Sequence, residues 1–230
     1  MEPRDGAPRN GGAPGDAERS PGYSERSEHG DGTRQGNGRA ARTLVRLCAE
    51  PPAWSFGDLY LRRYHAADHG TVLELHREGL AQVGLRPGDG VYYDHDFFRM
   101  EDIYLRNDGE FIVGELNGRI VAMGGLRRAD LVPAGHARVR GGYVMGGPPL
   151  DAVEMVRLRV RPAVQRRGYG AAVVEALEQR AAEYGYRILR ADTTELQGPA
   201  LQLYRRFGWT VTRRETIGGI VNVYLQKPLT

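Results

Sequence analysis

The stretch VRLRVRPAVQRRGYGAAVVEAL (residues 156–177) changes from a strand pattern to a helix pattern across a glycine-rich junction. The helix opens with Arg166-Arg167-Gly168-Tyr169-Gly170, although each glycine costs about 1 kcal/mol relative to alanine inside a helix. After the junction, apolar residues recur at the three-and-four spacing of a buried helix face: Val173, Val174, Leu177, Ala181 and Tyr184. The sequence therefore places two costly glycines and two positive charges where a helix must begin.

A ligand at this junction would explain that choice of residues. A helix that begins directly after a strand presents unpaired backbone N–H groups and the positive end of its dipole. Gly168 and Gly170 let a ligand approach the main chain closely, and Arg166 and Arg167 add positive charge. The junction thus predicts an anion site. The alternative is that both glycines only allow close packing of the helix on the strand. Val173 stands where a dinucleotide-binding fold would have its third glycine.

Composition divides the chain into a tail and one domain. The first 43 of the 230 residues contain no Leu, Ile, Val, Phe or Trp, so they cannot bury enough apolar area to offset their ordering entropy. We expect residues 1–54 to be a disordered tail and linker, and residues 55–230 to form a single folded domain. Seven acidic residues balance seven arginines in those first 43 residues, so the tail is not a basic nucleic-acid arm.

Several classes of protein are disfavoured by simple counts. The chain has neither an apolar signal segment nor a membrane span, and its only cysteine, Cys48, lies in the expected linker, which favours the cytoplasm. Lys227 is the only lysine, and no P-loop is present. His65, His69 and His76 are spaced four and seven residues apart, but they fall on different elements. We therefore expect no metal, no nucleic acid and no membrane as partners.

The remaining patterns predict an α/β fold with a mixed sheet. Asn117-Gly118 marks the clearest hairpin, because both residues tolerate positive φ in a tight turn. Asp68 is a candidate cap for the first helix. The predicted order of elements is β-α-α-β-β-β-α-β-α-β-β. The predicted strands lie at 58–64, within 110–129, and at 152–162, 186–194 and 210–227. The predicted helices lie at 68–84, 92–105, 164–185 and 199–209, and a long loop at 133–149.

A second motif strengthens the interpretation of the first. The opening stretch resembles motif A of the GCN5-related N-acetyltransferases, Gln/Arg-x-x-Gly-x-Gly/Ala, which Gln165, Gly168 and Gly170 match in register. QGPALQLYRRFGW (197–209) is similar to the family's Asn-x-x-Ala-x-x-Leu-Tyr-x-x-x-Gly-Phe, with Gln197 in place of Asn and Trp209 in place of Phe. The resemblance covers roughly residues 57–227 and is weaker in its first half.

The resemblance implies an acyltransferase that uses acetyl-CoA as co-substrate. In this family the strand before motif A splays away from the next strand, and its backbone binds the pantetheine, while the pyrophosphate lies on the amides of motif A. Carried over to this sequence, the acetyl-CoA-binding residues are Leu158, Val160, Gln165, Arg166, Arg167, Gly168, Gly170, Ala171 and Gln197.

Acetyl transfer to an amine also needs an acid and a base. Tyr204 is in register with the family's tyrosine acid, and a phenol, with an ordinary pKa near 10, arrives protonated; alternatively it is only a core residue of an amphipathic helix. Glu154 is the candidate base, since alternation puts it on an otherwise apolar strand face. Alternatively, Glu154 only pairs with an arginine. The resemblance also allows this, because many members of the family use a chain of water molecules in place of a carboxylate base. Arg157 is either a residue that binds a carboxylate of the substrate or, more simply, a solvated residue of the strand.

The acceptor is the least determined part of the prediction. We expect a primary amine of a small molecule; a protein or peptide N-terminus, or a non-catalytic CoA-binding regulatory module, are the alternatives. YYDHDFF (92–98) and the loop at 133–149 are expected to wall the acceptor cleft. Asp94 and Asp96 either attract an ammonium group or cap a helix. The sequence leaves the oligomeric state open, with a homodimer as one option.

Overall fold

The computed structural model describes residues 42–87, 89, 94–128 and 151–229, which form a nine-stranded sheet with helices on both faces. The described strands lie in the order β1-β2-β3-β4-β5-β6-β7-β9-β8, and among them only β6 and β7 pair in parallel. The predicted mixed α/β sheet is therefore confirmed. The strands are β1 (Val45–Cys48), β2 (Ala53–Phe56), β3 (Leu59–Arg63), β4 (Glu110–Leu116), β5 (Arg119–Arg128), β6 (Ala152–Val160), β7 (Ile188–Thr194), β8 (Thr210–Ile217) and β9 (Ile220–Pro228).

The sheet begins earlier than the sequence prediction placed it. β1 and β2 pair as an antiparallel edge next to β3, so the predicted boundary at residue 55 falls inside β2. The physical reason is burial: Leu44 joins the core, and Trp54 is fully buried with its Nε1 donating to Gln179 Oε1 at 2.8 Å. The compact unit starts at Ala41, and residues 1–41, where the disordered tail was predicted, lie outside the described residues.

Three α-helices of the described residues pack on the sheet: α1 (His69–Ala81), α2 (Tyr169–Glu183) and α3 (Gly198–Arg206). The region predicted as a second helix is instead a 3-10 turn (His95–Arg99) followed by a single π-helical turn (Glu101–Leu105). Asp68 does not cap α1 as predicted, because its carboxylate accepts hydrogen bonds from Arg62 and from the backbone N–H of His65. No helix in the described ranges is long and apolar enough to cross a membrane.

Each face of the sheet covers its own core. On one face, which we call the α2 face, Val173 and Leu177 of α2 pack with Met155 and Leu189 of the sheet. On the opposite face, the α1 face, residues of α1 and of the turns at 95–105 pack with alternate residues of β4 and β5, among them Val72, Leu75, Phe97, Tyr104, Val113 and Met123. Side chains of consecutive strand residues therefore divide between the two cores.

The predicted hairpin is confirmed. β4 and β5 pair across a two-residue turn in which Asn117 (φ 51°) and Gly118 (φ 73°) both adopt positive φ. This is the backbone that a tight hairpin turn demands, and Asn and Gly adopt it at the lowest cost. The hairpin brings β5 beside β6, which carries the candidate site.

Candidate active site

The parallel pair at the centre of the sheet opens partway along its length. β6 extends to Val160 and β7 to Thr194, but their pairing ends at Met155 opposite Ala191. Beyond that point β6 pairs only with β5, so one edge of its main chain faces the opening between β6 and β7. The splayed sheet that the family resemblance implies is therefore present. Backbone N–H and C=O groups along such an edge are available to an extended ligand.

A β-bulge redirects β6 at the opening. Arg157 and Leu158 together lie opposite the single residue Gly124 of β5, and Arg157 has a φ of 59°. A Cβ on Gly124 would come within 2.8 Å of Val173 of α2, so a larger residue would force the helix away from the bulge. A bulge changes the face on which the following side chains project. Strict alternation along β6, on which the sequence prediction relied, therefore ends at Val156.

The start of α2 has the geometry of an anion site. Arg166 (φ 65°) and Gly168 (φ 89°) adopt the left-handed conformation immediately before the helix. The first helical hydrogen bond runs from Ala172 N to Gly168 O at 3.0 Å, so the backbone N–H groups of residues 169–171 have no helical acceptor. The side chains of Arg166 and Arg167 are exposed beside them. Free amides, the helix dipole and two guanidinium groups converge at this point.

Close packing accounts for part of the glycine requirement as well. A Cβ on Gly168 would lie 3.1 Å from the ring of Phe56, and the positive φ already disfavours a side chain there. A Cβ on Gly170 would lie 3.4 Å from Leu203 and 3.5 Å from Val160, which is ordinary contact. Packing therefore accounts for Gly168, which lies against Phe56 of β2, whereas the space around Gly170 does not by itself require a glycine.

The predicted pantetheine contacts lie at the opening and already accept hydrogen bonds. Leu158 O accepts from Arg159 Nη1 at 2.8 Å, and Val160 O accepts from Gln165 Nε2 at 2.9 Å. Gln165 Nε2 also donates to Gln82 Oε1 at the end of α1, which anchors the segment before α2. A carbonyl oxygen has two lone pairs, so these contacts leave room for a second donor.

The second motif forms the turn into α3. Gln197 occupies the N-terminal position of that helix, where its backbone O accepts from the N–H groups of Ala200 and Leu201 and its Oε1 lies 3.2 Å from Thr193 Oγ1. Tyr204 is 3% exposed and packs in the α2-face core, with its ring centroid 5.0 Å from that of Trp209. Both predicted roles of Tyr204 remain compatible with this position.

Arg157 is buried, contrary to the expectation of a solvated strand residue. Its Nε and Nη2 bind the two oxygens of Asp96 at 2.9 and 2.5 Å, its Nη1 binds Asp94 at 3.0 Å, and its guanidinium lies 4.6 Å from the centre of the Phe97 ring. The bulge turns Arg157 onto the α1 face, where only 7% of its side chain is exposed. Asp94 and Asp96 therefore bind this arginine, and Asp94 makes no side-chain cap hydrogen bond to the turn that it precedes.

Glu154 belongs to the same buried charge network. Its Oε2 accepts from Arg127 Nε at 3.0 Å, and Arg127 Nη1 also lies 3.8 Å from Asp96 Oδ2. Asp96 further accepts from the hydroxyl of the fully buried Tyr104. Sequence reasoning missed Arg127; the signal was an arginine that directly follows the apolar run from Ile120 to Leu126 of β5. The alternative of a Glu154–arginine pair is thus present in the structure.

Burial and charge shift the titration of this network. Burial alone would raise the pKa of Asp96, but the charge and hydrogen bonds of Arg157 hold it below its ordinary value. Burial raises the pKa of Tyr104, and the charge of Asp96 raises it further. Burial also lowers the pKa of His76, against the opposing hydrogen bond from its Nε2 to Asp94 at 2.9 Å. The network therefore combines ionised carboxylates with a neutral phenol near neutral pH.

The three candidate metal ligands make separate contacts. His65 Nδ1 accepts from Ala67 N, His69 Nδ1 lies 3.2 Å from Tyr64 OH, and His76 binds Asp94. Within the ranges that the structure describes, no group of three His, Cys, Asp or Glu residues could hold a metal ion. The predicted acceptor-cleft walls at 92–93 and 133–149 lie outside the described residues.

Comparison with known proteins agrees with this geometry. The model of the acetyltransferase (GNAT) family matches residues 72–209, more than half of the chain. Similar solved structures include a GNAT acetyltransferase from Staphylococcus aureus Mu50 (TM-score 0.59, 14% identity, covering 75% of this chain and 99% of that one) and yncA from Salmonella typhimurium, solved with its cofactor acetyl-CoA (0.56, 17%, 76% and 95%).

A third similar structure is the ribosomal-protein-alanine N-acetyltransferase from Brucella melitensis (TM-score 0.56, 15% identity, covering 74% of this chain and 99% of that one). A search of curated proteins gave no significant match. At these identities the solved structures show a shared fold. The family model, which matches both motifs, shows that the chain belongs to the GNAT acetyltransferase family.

Proposed function

We propose that the protein transfers an acetyl group from acetyl-CoA to the primary amine of a small molecule. The observation that carries the proposal is the opening between β6 and β7 directly beside the free amides of α2. The opening offers an extended ligand a strand edge, and the amides offer its phosphates a helix N-terminus. One continuous site therefore suits a molecule that is both long and anionic at one end.

The residues at the site fit acetyl-CoA. The amides around Gly168, Gly170 and Ala171 would hold the pyrophosphate, helped by Arg166 and Arg167, and the main chain at Leu158 and Val160 would hold the pantetheine. Gln197, at the start of α3, would line the same opening from the β7 side. When bound, acetyl-CoA supplies an activated thioester. The main chain of β6 at the opening would hold the pantetheine arm that carries it.

Two side chains are proposed to handle protons. The Tyr204 hydroxyl would supply the proton that the departing sulfur requires, because its helix begins at the end of β7 beside the opening. Glu154 lies one residue before the last β6–β7 pair and would accept the proton of the amine, directly or through water. Its Oε2 is held by Arg127, so the base role falls to its other oxygen, Oε1.

A peptide N-terminus is the second candidate acceptor. The observation in its favour is the shared fold with the Brucella enzyme, which is named for acetylating a ribosomal-protein alanine. A non-catalytic CoA-binding module is the third hypothesis, and it would bind acetyl-CoA without turning it over.

A single assay separates the three hypotheses. Purified protein is incubated with acetyl-CoA and a panel of alkyl amines, amino acids and short peptides, and released CoA is followed with a thiol reagent. Amine-dependent release with small amines supports the proposal, whereas release with peptides alone supports the second candidate. Binding of acetyl-CoA by calorimetry with no release for any acceptor contradicts both enzymatic functions.

A further inference from the structure

Four polar side chains form a patch on the α1 face, beside the opening. Asp192 and Thr194 of β7 lie directly opposite Tyr224 and Asn222 of β9. Because Leu189 and Ala191 of β7 point into the α2-face core, alternation places Asp192 and Thr194 on the other side of the sheet. We call the set Asp192, Thr194, Asn222 and Tyr224 the oxygen patch, since each side chain presents an oxygen atom.

Two of these oxygens are buried without a partner. Thr194 is fully buried and Asn222 is 1% exposed, yet Thr194 Oγ1 and Asn222 Oδ1 make no hydrogen bond within the described part of the chain. A buried polar atom left unpaired is costly and calls for a ligand, a water or a functional explanation. The two atoms belong to one cross-strand pair, so one small donor bound between them would be shared by both.

Asp192 supplies an exposed carboxylate at the edge of the patch. It is the first residue of β7 beyond the last β6–β7 pair, it is exposed, and no ion pair or hydrogen bond of its side chain appears among the described residues. The neighbouring Arg213, over the Tyr224 ring at 4.2 Å, is matched by Glu215 at 2.9 Å. The patch therefore carries a carboxylate that makes no direct ion pair among the described residues.

The Asp192 carboxylate lies close enough to Tyr224 and Arg127 to contribute to the pKa values of both. Burial raises the pKa of Tyr224 to about 12, and the negative charges of Asp192 and Glu215 contribute to that rise. On the far side of β6, burial would lower the pKa of Arg127, but the charges of Glu154, Asp96 and also Asp192 hold it above its ordinary value. Asp192 is thus close enough to interact across the opening with the network that contains Glu154.

We propose that the oxygen patch binds the primary ammonium group of the acceptor. An ammonium has three N–H donors and one positive charge, which match the Asp192 carboxylate, Thr194 Oγ1 and Asn222 Oδ1. The inference rests on the proposed function and deepens it, because it assigns acceptor recognition to β7 and β9 and selects acceptors that carry a protonated primary amine. An alcohol lacks the positive charge of the ammonium group, and a quaternary amine lacks its N–H donors.

Methylammonium is the simplest probe of this site. The full chain is titrated with methylammonium chloride at constant ionic strength, and the side-chain amide signal of Asn222 is followed by ¹H–¹⁵N NMR. We expect a saturable shift with methylammonium and no saturable shift with tetramethylammonium, which has the charge without N–H donors. Asp192→Asn should weaken methylammonium binding at least about 10-fold, as loss of a charge-assisted partner does.

The matched control is Asp108→Asn. Asp108 is an exposed aspartate before β4 whose backbone O binds Tyr186, near the opposite end of β7, so its substitution should leave the titration unchanged. Equal responses to the two cations, no saturable response, or unchanged binding in Asp192→Asn would overturn the inference. Calorimetry with acetyl-CoA on the same samples separates the failures: if acetyl-CoA binds and methylammonium does not, only the ammonium site is wrong.

A stability measurement tests the patch independently. Thr194→Val keeps the β-branched shape and removes the unpaired hydroxyl, so the melting temperature should stay equal or rise by about 2–4 °C. The same variant should bind methylammonium more weakly. A fall in melting temperature with unchanged methylammonium binding would show that the Thr194 hydroxyl serves the fold and not a ligand, and would contradict the proposal.

Discussion

Tyr204 is the residue on which the proposed chemistry depends most. Its ring packs in the core against Trp209, so Tyr204→Phe should preserve the fold and remove only the hydroxyl. We expect kcat to fall by roughly 10²–10⁴-fold, the usual contribution of a positioned proton donor, with acetyl-CoA affinity little changed. Tyr186→Phe, which removes a hydroxyl bonded to Asp108 O, is the control and should keep normal turnover. Near-normal turnover of Tyr204→Phe would contradict the acid role.

Glu154 has two possible roles that differ in their pH dependence. If it accepts the proton of the amine, Glu154→Gln should be most defective near pH 7, where an alkyl amine is mostly protonated. The defect should then shrink toward about pH 10, as free amine forms unaided. If Glu154 only holds Arg127, the defect should not vary with pH. Glu115→Gln is the matched control, since Glu115 pairs with Arg62 on a different part of the sheet.

At the scale of elements, the bulge in β6 is held by a buried ion pair. Arg157 and Asp96 are 7% and 3% exposed, so removing one charge leaves the other buried without its partner. Asp96→Asn should lower the free energy of unfolding by about 3 kcal/mol in urea titrations at neutral pH. Asp102→Asn, which breaks only exposed pairs with Arg99 and Arg106, should cost less than about 1 kcal/mol.

The pH dependence of this difference has a defined sign. The pKa of Asp96 is lower in the folded protein than its ordinary 3.8, so its stabilising effect is complete above that value. The advantage of the parent over Asp96→Asn should therefore disappear as pH falls below about 3.8 toward the lowered pKa. An advantage that persists unchanged to lower pH would show that shape, and not charge, determines the effect of Asp96.

Local features of the fold could be predicted from the sequence, whereas the bulge in β6 could not. The hairpin at Asn117-Gly118 and the helix after Gly168 could be predicted because local residues impose their φ angles. The bulge could not be predicted, since it depends on Gly124 of another strand and on buried partners from the turns at 95–105. Alternation alone therefore assigned Arg157 to the wrong face.

The proposed acetyl-CoA residues and the proposed acceptor residues differ in how far the sequence predicts them. The proposed acetyl-CoA contacts Gly168 and Gly170 and the proposed acid Tyr204 follow from two local motifs, so the sequence could single them out. The proposed acceptor residues are brought together by pairing between β7 and β9, which are separated in sequence by α3 and β8. The alternation in Arg190-x-Asp192-x-Thr194 indicates that these polar residues share one face of β7. Only the pairing of β7 with β9 shows that Asp192 and Thr194 lie beside Tyr224 and Asn222.

On the scale of the whole molecule, one sheet joins two cores and opens at a single parallel pair. α2 covers the face that would receive acetyl-CoA, and the α1 face carries both the buried charge network and the oxygen patch. The opening between β6 and β7 connects the two faces. In our account, this arrangement lets the thioester and the amine approach from different sides of one sheet.

The most direct test of the account is calorimetric titration of acetyl-CoA into the parent chain and the Gly168→Asp variant. The control is Gly185→Asp, because Gly185 has a similar φ of 81° and open space at the other end of α2. We expect the parent and Gly185→Asp to bind with a dissociation constant in about the micromolar to millimolar range of enzyme substrates, and Gly168→Asp to bind at least about 10-fold more weakly. Equal affinity of all three proteins, or no binding by the parent, would contradict it.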